Sequence, residues 1–178
     1  MMPQEQEIGR EFLRVSRREL RSSLAKIEKA LAKLSDEQIW ARGRETENSI
    51  GNLLLHLSGN VRQWIVAGVG GGKDHRDRDA EFAQRDAIPA AELLEKLRAT
   101  LDDADRALEG VEPAALLATH RIQGYEVTGL RAIYHCVEHF GGHTGQILWA
   151  VKHATGEDLG FYRYLQGGGT APPERREP

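Results

Sequence analysis

The stretch TGLRAIYHCVEHFGGHTGQILWAVKHA, Thr128–Ala154, reads as one long helix. Thr128 is a good N-cap, and Leu130, Ile133, Tyr134, Val137, Ile147, Leu148 and Val151 recur at helical steps behind it. The same helix carries His135, His139 and His143 at intervals of one turn. Residues four apart share a helix face, so His139 and His143 can aim their imidazoles at one point, which is the geometry of two metal ligands. A chain with 7 histidines in 178 residues would produce two overlapping steps of this kind by chance in roughly 0.01 cases, so the cluster requires a reason. His135 is rotated by about 80° from His143 and is expected on the pocket wall rather than among the ligands. Gly141, Gly142 and Gly145 each cost about 1 kcal/mol relative to alanine inside a helix, so close approach by a neighbouring helix or a ligand is expected there.

Three further helices lie upstream. From Gln4 to Leu34, apolar residues Ile8, Phe12, Val15, Leu20, Leu24, Ile27, Leu31 and Leu34 alternate with charged ones in an amphipathic pattern that Ser35 and Asp36 break. Trp40 falls in a short connector. Asn48 or Ser49 can cap a second helix built on Ile50, Leu53, Leu54, Leu57, Val61, Trp64 and Ile65, which ends at the glycine-rich GVGGG. The charged stretch KDHRDRDAEFAQRD has no continuous apolar stripe and reads as a surface crossover. After Pro89, the leucines 93, 94, 97, 101 and 108 make a third helix from Ala90 to Leu108, closed by Gly110 and Pro113. The segment Glu112 to Val127 is ambiguous, and no stretch is a convincing strand. Four long amphipathic helices with a longer excursion between the second and third give an all-α four-helix bundle. It should occupy residues 1–166, with residues 167–178 as a disordered tail.

Composition narrows the function. At 40% apolar and 29% charged residues with a net charge of −3, the chain lacks the basic field expected of a nucleic-acid partner. Cys136 is the only cysteine, so neither a disulfide framework nor a multi-thiolate zinc site can form, and its expected role is a small core residue. The opening MMPQEQEIGREF does not read as a signal peptide, and no segment approaches the roughly 18 apolar residues of a membrane span, so a cytoplasmic location is expected. The GVGGGKD stretch fails as a phosphate loop: Ala67 stands where the first glycine should be, Asp74 follows the lysine, and no strand precedes it.

The second helix has its own polar line, Asn52, His56, Asn60 and Gln63, inside an otherwise apolar pattern. If this line faces the histidine stripe of the fourth helix, His56 completes a set of three imidazoles with His139 and His143. Three protein ligands with an open position describe a catalytic site, as in zinc enzymes. His135, Asn60 and Gln146 are the candidates for orienting ligands or moving a proton, whereas His75 and His153 should be solvated and His120 has no assignment.

The histidine in the second helix combined with HFGGHTGQI in the fourth resembles the DinB-like (DinB/YfiT-like) superfamily of metalloenzymes, whose fourth-helix motif is H-x-x-x-H followed closely by G-Q-I. The stretches SIGNLLLHLSGNVRQWI and DHRDRDAEF look like a branch of that superfamily with no assigned activity. The resemblance covers roughly Glu7 to Leu165. It implies an up-down-down-up bundle and a divalent metal, zinc or nickel, on His56, His139 and His143. It also implies thiol-dependent transfer or isomerisation with a low-molecular-weight thiol such as bacillithiol or mycothiol, and a homodimer; His135 is an addition to the three-histidine pattern.

Three functions compete. A metal-dependent enzyme, in its leading form a thiol transferase acting on a small-molecule substrate or else a hydrolase, needs an open position beside a substrate-sized pocket. A non-catalytic metal-binding or stress-response module needs only an ion that pins two helices together. An interaction bundle with incidental histidines predicts no metal dependence of stability.

Overall fold

A computed structural model describes residues 3–165, and the tail expected to be disordered lies outside the described residues. The chain is mostly helical. Helix α1 (Pro3–Leu31) buries Leu13, Leu20, Leu24, Ile27 and Leu31 along one stripe. It stops three residues before the expected Leu34, because Ser35 opens a new helix instead: α2 (Asp36–Trp40) starts from a capping box between Ser35 and Gln38. Trp40 therefore belongs to an element rather than a connector, and its indole donates to the Ile88 carbonyl at 2.9 Å.

Helix α3 (Ile50–Val61) begins at a second capping box, Ser49 with Asn52, and is buried at every position but Gly59. Its backbone then widens into π-helix over Arg62–Val69, with the Gly70 amide reaching back five residues to the Ile65 carbonyl at 2.8 Å. Helix α5 (Ala90–Glu109) and helix α6 (Gly129–Thr155) match the third and fourth long helices read from sequence, and the Thr128 hydroxyl caps α6. Helix α1 packs on α5 and α6, and α3 packs on the same two, so the four long helices share one core. Cys136 sits in that core, fully buried, with burial pushing its thiol up to about 12. Among the described residues no helix is long and apolar enough to cross a membrane.

Two expectations need correction. The segment between α5 and α6 holds a β-hairpin, β1 (Thr119–Ile122) and β2 (Tyr125–Thr128), paired antiparallel with Ile122 opposite Tyr125. Its two-residue turn places Gln123 at φ 53° and Gly124 at φ 83°, as a tight hairpin turn of type I′ demands. Ile122 is driven against Gly68, where an added Cβ would lie 2.4 Å from its Cδ1. The charged crossover runs largely over the surface, as expected, but is more structured than the sequence suggested. It contains helix α4 (Arg78–Ala83), capped by Asp77, and buries Glu81. The Arg76 side chain beside it is only 3% exposed.

Candidate metal centre

The polar line on α3 meets the crossover along most of its length, not α6. Asn52 donates to the Glu81 carbonyl at 2.8 Å and to that of Gln84 at 3.2 Å. Gln63 donates to Asp74 at 2.7 Å and accepts from Arg76 at 2.9 Å. Asn60 is buried with its Oδ1 unpartnered and makes no hydrogen bond to the histidines among the described residues. His56 alone reaches across to α6, flanked by the ring of Phe82 with centroids 4.6 Å apart.

There it meets the other two histidines. The ring centroids of His56, His139 and His143 stand 4.5 to 5.1 Å apart, and one nitrogen of each lies within 4.8 Å of the others. The Nε2 atoms of His56 and His139 are 3.1 Å apart. Two such nitrogens share either one proton or one cation. Ligands about 2.0–2.1 Å from a tetrahedral ion would lie roughly 3.3 Å from each other, close to the observed spacing.

The protonation pattern also suits a cation. Arg76 is always a donor, and its Nε and Nη2 hold Glu81 at 2.8 and 2.9 Å, so Glu81 is an ionised acceptor. Burial raises the Glu81 carboxyl, but the hydrogen bonds from Arg76 and His56 outweigh it and hold the group below its ordinary value. His56 Nδ1 lies 2.9 Å from Glu81 Oε2 and 3.0 Å from Arg76 Nη2; with the ionised carboxylate as the acceptor between them, the assignment in which Nδ1–H donates to Glu81 leaves the Nε2 lone pair facing α6. His143 Nδ1 donates to Gln146 Oε1 at 2.7 Å, turning its own Nε2 free in the same way. Burial, and then the neighbouring His143, His56, His135 and Arg76, push His139 down to about 3, so its ring is neutral throughout the physiological range. His143 is lowered as well, by burial against the opposing effect of Gln146. His139 Nδ1 is buried without a hydrogen-bond partner among the described residues, an orphan that a proton shift between the two ring nitrogens would leave in place. By spacing, by lone-pair direction and by the lowered proton affinity of His139 and His143, the three residues fit a divalent ion.

The remaining candidates fall around this centre. His135 packs between Trp64, at 4.3 Å between centroids, and His139, at 5.6 Å, and burial lowers it too. His75 and His153 are exposed, the latter stacked on Trp149, and His120 lies half-buried beside Gly129. A cavity of about 960 Å³ opens beside His143 and Gln146. Gly142 and Gly145 line it, and an added Cβ at Gly141, Gly142 or Gly145 would meet nothing within 4 Å, so of the two expected reasons for these glycines, a close neighbouring helix is absent and a pocket wall is present. The tight glycine is Gly59 on α3, where a Cβ would lie 1.8 Å from Glu81 Oε1. Sequence reasoning missed Arg76, Glu81 and Gly59; the available signal was a glycine one turn beyond His56 inside an apolar helix.

Residues 7–164 match the family model described as a protein of unknown function, DUF1572. The chain belongs to that family. No curated protein matches this DUF1572 chain. Among solved structures it resembles the "crystal structure of the conserved protein of locus from Enterococcus faecalis", with a TM-score of 0.69 and 14% identity over 81% of this chain and 97% of that one. At that identity the likeness shows a shared fold, and the DUF1572 site has to be read from its own residues.

Proposed function

We propose that the chain is a divalent-metal-dependent enzyme of the DinB-like superfamily, an up-down-down-up four-helix bundle in which His56, His139 and His143 hold zinc or nickel. The observation that carries this reading is the convergence of three imidazoles, one of which, His143, lines a substrate-sized cavity. The chemistry such an ion supplies is acidification of a thiol or a water, so that a nucleophile exists at neutral pH. A low-molecular-weight thiol such as bacillithiol or mycothiol is the proposed co-substrate, because Cys136 is buried in the core and the protein brings no thiol of its own to the site. The reaction is transfer of that thiol to a small molecule, in a cytoplasmic homodimer.

The chain's own residues have distinct tasks in this scheme. Glu81 and Gln146 orient His56 and His143 through their Nδ1–H groups. Trp64 and Phe82 cover two sides of the histidine cluster and limit water there. His135, half-buried and lowered by burial, does not line the cavity and serves as a base through its contact with His139. The cavity beside His143 favours this scheme over a module in which the ion only pins helices.

Elemental analysis of freshly purified, untagged protein tests the reading, paired with the same measurement on His56→Ala. About one zinc or nickel per chain, lost in the variant, is expected. Wild-type protein that holds no metal after reconstitution would overturn it.

A further inference from the structure

The cavity beside His143 contains a cation that the histidine site does not use. Arg42 lies in the loop after α2 and lines the cavity together with Ile50, Leu53, His143, Gln146 and Trp149. Its Nη2 is committed to neutral oxygens, Asn52 Oδ1 and the Gln84 carbonyl. The Nε and Nη1 donors have no partner among the described residues, and they are not among the sealed, unsatisfied atoms. No carboxylate pairs with Arg42 among the described residues. Glu47 also lines the cavity, but its carboxylate accepts from the Gly43 amide at 2.9 Å. Burial, and then the nearby Arg85, lower Arg42 from its ordinary value, as expected of a guanidinium that has no protein counter-ion. A guanidinium anchored through Nη2, with Nη1 left open, is suited to a charge-assisted contact with a carboxylate or similar anion.

Much of the remaining lining is apolar. Ile50 and Leu53 form one wall, and Trp149, 67% exposed at the rim, stacks on His153 with planes only 4° apart. An exposed indole held flat by a second ring presents its remaining face for stacking.

We infer that this cavity is a binding site for a small organic anion with an apolar or aromatic body, its acidic group on Arg42 and its body between Ile50, Leu53 and Trp149. The inference deepens the proposed function, naming the substrate class of that site, and it rests on the metal reading only for what happens at the His143 end.

The test is titration calorimetry of full-length, as-purified protein with 4-phenylbutyrate and with 4-phenylbutanol, which share a body and differ in charge. The acid should bind about 10–100-fold more tightly than the alcohol, the range of a charge-assisted hydrogen-bonded contact. Arg42→Gln should reduce that preference to near unity, and Arg42→Lys should restore part of it as a point charge. Because Arg42 also braces Asn52, thermal melts accompany each variant, and the wild-type acid-to-alcohol ratio stands without any variant. Equal affinity of acid and alcohol in the wild type overturns the inference. So does a preference that persists in Arg42→Gln and disappears in His139→Ala, which would put the carboxylate on the metal. An Arg42-dependent preference in a preparation shown to hold no metal supports the anion site while removing the metal reading.

Discussion

Replacing Glu81 by glutamine keeps the shape of the side chain and removes its charge. In the folded protein this carboxylate accepts two hydrogen bonds from Arg76 and one from the His56 Nδ1–H, at 2.8 to 2.9 Å, with its own side chain 10% exposed and that of Arg76 3% exposed. Breaking a buried pair from one side costs about 3–5 kcal/mol, because the remaining charge is stranded. Gln63 Oε1 still accepts from Arg76, so a loss of about 2–4 kcal/mol is expected for Glu81→Gln in urea denaturation of metal-free protein. The second effect is on the metal. A ligand imidazole deprived of its carboxylate partner binds metal about 10–100-fold more weakly, equivalent to about 1.4–2.7 kcal/mol. A fluorescent chelator in competition for zinc reads that change directly. The two effects separate in the double variant Glu81→Gln with Arg76→Met: removing the stranded cation should return much of the stability and none of the metal affinity. Wild-type zinc affinity in Glu81→Gln would refute the reasoning, and so would recovery of affinity together with stability in the double variant.

Glycine substitutions test the packing around the same pair. Gly59→Ala pushes a Cβ into a carboxylate held from two sides, so a loss of about 1–3 kcal/mol is expected together with weaker zinc binding; an unchanged chelator titration would contradict it. Gly141→Ala fills open space in a helix interior and should stabilise by about 0.5–1 kcal/mol with metal content unaltered, and a lower melting temperature would count against that description. Metal-free protein should lose stability on acidification. His139 takes a proton near its ordinary 6.5 when unfolded and only near about 3 when folded, so across that window the unfolded chain binds more protons. Glu81, held below its ordinary value by Arg76 and His56 against burial, adds to the loss as the pH falls through its folded value. Urea midpoints between pH 7.5 and 4 check this: they should fall with pH, less steeply in His139→Phe, and a flat wild-type profile would rule it out.

The parts of this molecule that were legible in sequence are those with a period. Long stretches such as Ala90–Glu109 and Gly129–Thr155 repeat their apolar residues often enough to declare a helix, and the spacing of His139 and His143 is a helix-face statement in itself. The six residues of α4 span less than two turns, too few for a stripe to register. Arg76 and Glu81 are buried because each neutralises the other, and in a sequence a buried ion pair looks the same as two surface charges. The hairpin was hidden for a related reason. Four-residue strands around Gln123-Gly124 leave only Ile122 and its packing against Gly68 as a core signal. The glycines of α6 were half legible: no helix approaches them closely, but Gly142 and Gly145 line the cavity beside His143.

The chain order of the residues that meet at His56 also bears on biosynthesis. The ribosome delivers α3 first, then Arg76 and Glu81 some twenty residues later, and His139 only after a further stretch of more than fifty. The nascent chain thus holds every partner of the His56 Nδ1 long before it holds a second imidazole of the cluster. One nitrogen of that ring can be committed to its carboxylate while the rest of the bundle is still being made, and α6 then arrives against a histidine whose tautomer is already chosen.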